Sequence, residues 1–364
     1  MKVALVHDYL TQRGGAERVV LSLARAFPEA PLFTSLYDPD GTFPEFGGLD
    51  VRTMPINRFA PLRKHHRAAL PLLAPSFSRL RISADVVICS SSGWAHGARV
   101  EGRKIVYCYT PARWLYQPDR YLRVSGRPVR TAAGALRSGL VRWDKRAAAS
   151  ADSYLAISTV VAERIKKLYG LEAEVVPPPP AITPEGPTQA VAGIEPGFVL
   201  CVSRLLPYKN VDAIVQAFQA LPDERLVVAG TGPQEHALRA IAGANVSLAG
   251  RVADAELRWL YANCRTLVAA SHEDFGLTPV EAAGFGKPTA ALRFGGFLET
   301  IEEGRTGVFF EEPTAQAIAA GVRELLAASW SAEAAVNSAA RFSEPQFVER
   351  LRAAAADLAD QPLS

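Results

Sequence analysis

The stretch that decides the fold is His272-Glu273-Asp274-Phe275-Gly276-Leu277-Thr278-Pro279-Val280-Glu281-Ala282-Ala283, which sets two glutamates eight positions apart around a Phe-Gly-Leu turn. The apolar run Thr266-Leu267-Val268-Ala269-Ala270 just before it reads as a buried parallel strand. Such strands are covered on both faces and so lose the apolar–polar alternation. From Pro279 to Phe285 the pattern is that of a helix's first turns, with proline where its missing N–H costs nothing. Glu273 is therefore expected at a strand's carboxyl end and Glu281 just inside the following helix. Between them the amides of Phe275, Gly276 and Leu277 can face an anion at the helix N-terminus. A carboxylate on each side of such a phosphate cradle can hold hydroxyls, the combination a sugar nucleotide presents. Taken alone, the spacing fits a helix with two solvated acids better.

Outward from this segment, strand-like runs alternate with helical patterns, the signature of parallel α/β sheets. The first half offers Val3-Ala4-Leu5-Val6, Asp85-Val86-Val87-Ile88-Cys89, Ile105-Val106-Tyr107-Cys108 and Ser153-Tyr154-Leu155-Ala156-Ile157, with helical stretches from Ala16 to Ala26 and from Ser158 to Tyr169. The alternation stops at Pro177-Pro178-Pro179-Pro180 and resumes after Pro196-Gly197. Four consecutive prolines cannot join a helix or sheet interior, so this segment reads as a stiff connector between two domains. Phe198-Val199-Leu200-Cys201-Val202 opens the second half and Arg225-Leu226-Val227-Val228-Ala229-Gly230 follows. A last helical pattern runs from about Glu344 to Asp357, after a break near Phe342-Ser343. The expected division is 1–180 and 181–342, with a terminal helix at about 343–364.

Composition sets bounds. The 364 residues suffice for two cores, and 49% apolar content with 21% charge is that of a soluble globular protein. A net charge of +3 gives no footprint of nucleic-acid binding. Cys89, Cys108, Cys201 and Cys264 share no metal-ligand spacing, and three of them sit in apolar runs, so buried free thiols and a reducing cytoplasm are expected. The short run from Met1 to Leu10, stopped by His7 and Asp8, reads as a first strand and not a signal peptide. No apolar run approaches the roughly 20 residues of a membrane span.

Four further constellations carry chemistry. Gly14-Gly15-Ala16-Glu17 follows the first strand, where glycines let amides approach a phosphate or sugar. It is not G-x-G-x-x-G, which argues against a nicotinamide dehydrogenase. In Ser203-Arg204-Leu205-Leu206-Pro207-Tyr208-Lys209-Asn210, Arg204 and Lys209 can both reach a diphosphate, one as a planar fork of donors and the other as a compact charge. Such cations stabilise the charge that develops as a diphosphate leaves. Gly230-Thr231-Gly232-Pro233 and Gly250-Arg251-Val252 each follow a strand-like run and leave room for a nucleotide across strand ends. Tyr107-Cys108-Tyr109-Thr110-Pro111 closes the set.

Together these motifs resemble the retaining glycosyltransferases of family 4, whose GT-B fold has two facing Rossmann-like domains and a C-terminal helix crossing back to the first. Glu273 and Glu281 match that family's E-x7-E motif. The resemblance implies that Glu273 contacts the transferred sugar and Glu281 the nucleotide ribose. By the same resemblance Arg204 and Lys209 hold the donor diphosphate, and Phe275, Gly276 and Leu277 face the donor. Gly230, Gly232, Arg251 and Val252 line the nucleotide pocket, and Gly295-Gly296 before Glu299-Thr300 completes the donor side. Gly15 and Tyr109 close over the sugar, and Gly14 is a substrate-binding residue beside Gly15. Relatives usually carry histidine where this chain has Tyr109. A phenol bonds a hydroxyl but does not titrate near neutral pH. A front-face mechanism in which the leaving phosphate acts as base tolerates the change. His96, in Gly93-Trp94-Ala95-His96-Gly97, is the alternative imidazole, although a structural role fits it better.

The opening His7-Asp8-Tyr9-Leu10, the Tyr-Cys-x-Thr-Pro run and Glu-Asp-Phe-Gly look most like the branch with bacterial O-antigen mannosyltransferases. The implied donor is GDP-mannose first and a UDP-hexose second. No cofactor and no metal are expected; Asp38-Pro39-Asp40 has an Asp-x-Asp spacing but no strand end that joins this pattern. The acceptor is a hydroxyl of a surface glycan, a lipid-linked oligosaccharide or a small natural product. Epimerase, phosphorylase and non-catalytic sugar-nucleotide binding are the competing classes.

Two acid-free segments complete the reading. Val51 to Ala84 carries Arg52, Arg58, Arg63, Lys64, Arg67, Arg79 and Arg81 among Leu70, Leu72, Leu73, Phe77 and Leu80. Arg120 to Trp143 carries Arg120, Arg123, Arg127, Arg130, Arg137 and Arg142. Such interleaving fits a solvated face over the core, peripheral contact with an anionic bilayer, or a grip on a phosphorylated acceptor. Pro61, Pro71 and Pro75 exclude one long helix in the first.

Overall fold

The apolar runs become strands because nearly all of their apolar positions are buried, as along Val3–His7 and Val86–Ser91. A computed structural model describes residues 1–65, 69–117 and 127–361, the side chains at 71 and 127–136 excepted. The chain divides into two compact units: Met1–Pro179 with Glu344–Ser364, and Pro180–Ser343.

In the first unit, β1 (Val3–His7), β2 (Leu32–Thr34), β3 (Val51–Thr53), β5 (Val86–Ser91), β7 (Arg103–Cys108), β8 (Ser153–Ala156) and β9 (Glu174–Val175) form one sheet in the order β3-β2-β1-β5-β7-β8-β9. Every pairing in it is parallel. A separate pair joins β4 (Arg81–Ile82) to β6 (Arg99–Val100). The helices follow their boundary residues. Ser158 caps Thr159–Tyr169 by accepting from the Val161 amide, and Gly170 ends that helix at φ +72°. The C-terminal helix Glu344–Ala359 belongs to this unit and buries Phe347, Leu351, Ala355 and Leu358, one stripe at helical spacing. Arg25 Nε donates to Glu344 at 2.8 Å and Arg352 Nε to Ala26 O at 2.9 Å, which fixes it to helix Gly15–Ala26.

The second unit repeats the plan. Its strands β10 (Phe198–Val202), β11 (Leu226–Ala229), β12 (Val246–Gly250), β13 (Cys264–Ala269), β14 (Thr289–Leu292) and β15 (Gly307–Phe310) lie in the order β12-β11-β10-β13-β14-β15, all parallel. One core on this sheet holds Val199, Phe218, Val228 and Val322, and another holds Leu200, Val227, Tyr261 and Leu267. Truncating a fully buried leucine such as Leu200 to alanine would cost about 2–5 kcal/mol. In both sheets the strand order reverses beside the first strand, and such a switch point leaves a crevice at the strands' carboxyl ends.

The proline-rich segment has no helix or strand; the two units divide within it, and from Pro180 onward it packs as a strap on the second unit. Ile182 is buried in that unit's core, Val191 and Ile194 pack beside it, and the Gln189 amide donates to Ala255 O at 3.0 Å. Apolar residues between the prolines give the strap surface to bury, which proline content alone conceals. Among the described residues, no helix is long and apolar enough to cross a membrane.

Candidate functional site

The expected site residues fall into two groups, one on each unit. On the second unit they occupy the loops at the strands' carboxyl ends. Beyond β10 the turn Ser203 to Asn210 ends with Asn210 at φ +53°, the one positive-φ non-glycine residue among those described. Asparagine tolerates that conformation because its short amide bonds locally. Its Nδ2 donates to Ala270 O at 2.8 Å and ties the turn to the end of β13. Lys209 is thereby brought to Glu273, and its Nζ donates to Oε1. Ser271 Oγ donates to the same oxygen at 3.0 Å. The lysine ammonium also lies 5.0 Å from the Tyr208 ring centre. Arg204 is exposed, with Nη2 donating to the Tyr208 hydroxyl at 3.1 Å.

Close backbone approach explains the glycines. Gly230 has φ +141°, and a Cβ there would sit 1.9 Å from Ser203 O. Its N–H donates to Gly250 O at 2.8 Å, while Gly232 lies against the Leu205 backbone. Arg251 is exposed beyond β12, and Val252 is half-buried against the core. Gly276, at φ +92°, starts helix Leu277–Gly284, which no side chain caps. Its first amides keep the donor character that suits an anion. Phe275 is buried with its ring 5.6 Å from that of Phe342, and the Gly296 amide donates to Glu273 O at 3.1 Å.

Glu281 lies in that helix and is only 6% exposed. Tyr261 donates its hydroxyl to Oε2 at 2.7 Å, and the Ala181 amide donates to Oε1 at 3.2 Å. Burial first, and then the charge of Glu281, push the Tyr261 phenol well above its usual value. Asn210, Ser271 and Tyr261 went unassigned in the sequence. Asn210 and Ser271 adjoin motif residues, but Tyr261 has no local signal, since it meets Glu281 only through packing.

On the first unit, Tyr109 follows β7 and is nearly buried. Its hydroxyl donates to Ala16 O at 3.1 Å and lies 2.9 Å from Ser90 Oγ, which joins it to the Gly14-Gly15 turn. Burial raises the Tyr109 phenol, against the Ser90 hydrogen bond that lowers it. His7 Nδ1 is 3.0 Å from Ser90 Oγ. Glu17 is buried beside Gly14 and accepts from Gln12 Nε2 at 3.0 Å. Asp8 accepts from the amides of Ser92, Trp94 and Ala95 at 2.7, 3.2 and 2.6 Å. Its carboxyl is raised by burial, with His7 and these amides opposing.

His96 has a structural setting. It is buried, with Nδ1 3.0 Å from Ser91 Oγ and Nε2 3.0 Å from Asp144 Oδ1. Asp144 also accepts from the hydroxyls of Tyr116 at 2.6 Å and Tyr169 at 2.7 Å. Asp38 is buried and paired with Lys64 at 2.9 Å.

The basic segments divide. Helices Ala60–Lys64 and Leu70–Arg79 bury Leu73 and Phe77 but expose Leu72, with Phe59 exposed just ahead of them and Arg58, Lys64, Arg79 and Arg81 also exposed. Arg137 Nε donates to Leu115 O at 3.1 Å and Arg142 is exposed. Arg67, Arg120 and Arg123, and the side chains of Pro71, Arg127 and Arg130, lie outside the described residues. A surface cavity of about 360 Å³, lined by Leu221, Glu224, Arg265 and Arg323 among others, lies where β11 and β13 begin, at the opposite strand ends from the site.

Comparison with known proteins bears on the family and the fold. Residues 13–180 match the family described as Glycosyltransferase Family 4, and residues 189–343 match Glycosyl transferases group 1. The chain is 32% identical over 180 residues to the D-inositol 3-phosphate glycosyltransferase of Mycolicibacterium gilvum, covering 45% of this chain and 40% of that one. It is 31% identical over 174 residues to the GDP-mannose-dependent alpha-(1-6)-phosphatidylinositol monomannoside mannosyltransferase of Mycobacterium tuberculosis, covering 43% of this chain and 45% of that one. These matches span less than half the length of either relative. Among solved structures, Anabaena HepE in complex with UDP-glucose superposes with a TM-score of 0.72 over 98% of this chain and 100% of that one, at 18% identity. With one family matched on each unit and the fold matched throughout, the chain belongs to the glycosyltransferases of the group 1 and family 4 type, with the GT-B fold.

Proposed function

We propose that this protein transfers a hexose, with mannose from GDP-mannose as first choice, to an acceptor hydroxyl with retention of anomeric configuration. The observation that carries the proposal is the strand-to-helix turn after β13. It presents Glu273 engaged by Lys209, an uncapped helix N-terminus, and Glu281 held in place one turn further on. In the proposed reaction the acceptor oxygen attacks the anomeric carbon as the bond to the diphosphate breaks. The acceptor's proton passes to the departing phosphate oxygen on the same face. Lys209, Arg204 and the amides from Phe275 to Leu277 neutralise the charge gathering on the diphosphate, a stabilisation larger in the transition state than in the ground state. Glu273 orients the sugar through its hydroxyls and Glu281 the ribose. No metal is required, since cations and amides fill that role. Tyr109 shapes the floor beneath the Gly14-Gly15 turn.

Mannose is favoured by the GDP-mannose dependence of the Mycobacterium tuberculosis relative. A second reading, a UDP-hexose donor, is favoured by the UDP-glucose in the HepE complex. Surface-glycan or glycolipid synthesis at the inner face of a membrane is the setting we propose. The exposed Phe59 and Leu72 among arginines support peripheral contact with an anionic surface. Calorimetric titration with GDP, UDP, ADP and their hexose conjugates, in EDTA and then in magnesium, tests the donor. Metal-independent GDP binding, strengthened by GDP-mannose, is expected. A preference for UDP would discard mannose but keep the reaction, and no binding to any nucleotide would overturn the proposal. Acceptor turnover, followed as nucleotide release, separates transfer from binding alone.

A further inference from the structure

We infer that Tyr261 is a positioning residue for nucleotide recognition, holding the Glu281 carboxylate in the orientation that takes the ribose hydroxyls. The inference rests on the assignment of Glu281 to the ribose. Tyr261, in helix Asp254–Asn263, is fully buried, and its ring stacks on Phe285 with centroids 5.5 Å apart and planes at 19°. Phe285 directly follows helix Leu277–Gly284, the helix that carries Glu281. One aromatic stack therefore fixes the ring, the ring fixes the hydroxyl, and the hydroxyl fixes Oε2 at 2.7 Å. The Ala181 amide holds the other oxygen from the strap at 3.2 Å.

A glutamate side chain has three rotatable bonds, and an unrestrained one spends part of its binding energy on being ordered. With a donor on each oxygen, that ordering is complete before the ligand arrives. The phenol suits the task because burial and the adjacent carboxylate keep it protonated, so it remains a donor at every working pH. A purely structural staple between the two helices is the competing account. It predicts a loss of stability without any dependence on the sugar of the nucleotide.

The test measures affinity for GDP and UDP, each beside its 2′-deoxy and 3′-deoxy counterparts, in wild type, Tyr261→Phe, Glu281→Gln and the double variant. Phenylalanine keeps the stack on Phe285 and removes only the hydroxyl. Wild type is expected to prefer the ribonucleotide. Tyr261→Phe is expected to weaken ribonucleotide binding roughly ten-fold, as loss of a charge-assisted hydrogen bond does. Binding of at least one deoxy counterpart should change less than two-fold, and the double variant should lose no more than Glu281→Gln alone. Wild type without ribose preference would sink the Glu281 assignment itself. Ribose preference in wild type that survives intact in Tyr261→Phe would overturn the positioning role and leave the Glu281 assignment standing. Equal losses on ribo- and deoxynucleotides, or additive losses in the double variant, would also overturn it in favour of the staple.

Discussion

Lys209 and Glu273, 64 residues apart in the chain, form an ion pair at the carboxyl ends of β10 and β13, with the lysine side chain 11% exposed and the glutamate 24%. In the proposed reaction the pair would hold a cation beside the diphosphate and keep the carboxylate aligned until a sugar hydroxyl competes for it. Partly sheltered from water, such a charge acts on a ligand more strongly than a solvated surface lysine would.

Lys209→Ala is expected to cut kcat/KM by about 10²–10³-fold, the usual cost of removing one donor that stabilises transition-state charge. The melting temperature should move by only a few degrees, because the pair is not fully buried. Steady-state kinetics beside a thermal melt decide it. Turnover near that of wild type would remove Lys209 from the catalytic machinery.

Burial raises the phenol of Tyr109 above the ordinary value of 10.0. It therefore contributes no ionisation between pH 6 and 9. Tyr109→His should retain activity and add a limb to the pH–rate profile near the unperturbed imidazole value of about 6.5. The sign for stability follows from linkage. The wild-type phenol keeps its proton in the folded state while the unfolded chain loses it above about pH 10, so its contribution is full below that value and falls as pH rises past it. A variant that folds but shows no turnover at any pH would show that the phenol itself is required.

All four cysteines are free and buried, and burial pushes the thiols of Cys89, Cys201 and Cys264 up to about 12. Thiolate, the reactive species, is therefore scarce in the folded protein. Ellman's reagent should find almost no reactive thiol in the native state and all four in denaturant. Rapid titration of one or more cysteines in native buffer would contradict this burial.

Gly230→Ala places a methyl group 1.9 Å from Ser203 O at a φ of +141°. The turns after β10 and β11 would have to separate, with a cost of about 1–3 kcal/mol for the forced backbone alone. Urea unfolding should show the loss, and nucleotide affinity should fall with it, because the same turns form the proposed pocket. An unchanged midpoint would mean that the strand ends yield more easily than their contacts imply.

Much of this protein was legible in the order of its residues. Val3 to Val6, Phe198 to Val202 and Thr266 to Ala269 announce buried parallel strands because no position along them alternates. Gly230 and Gly276 announce close approach because a side chain would collide or strain there. Glu273 and Glu281 announce a strand end and a helix start because Pro279 and Gly276 punctuate the chain between them. Short edge strands such as Val51–Thr53 and Glu174–Val175 carry too little pattern to be read, since their pairing partners and not their own residues make them strands.

The sequence by itself determined the strand–helix alternation, the glycine turns and the identity of the charged residues, all of which depend on neighbours in the chain. Only the tertiary structure decided that Asn210 would pin its turn to Ala270, that Lys209 would find Glu273, and that Tyr261 would hold Glu281. It also made the proline-rich segment a strap, through Ile182 in the second core. The physical reason is that hydrogen bonds and apolar contacts between residues distant in sequence depend on how whole elements pack, and that packing is written in no single stretch of the chain.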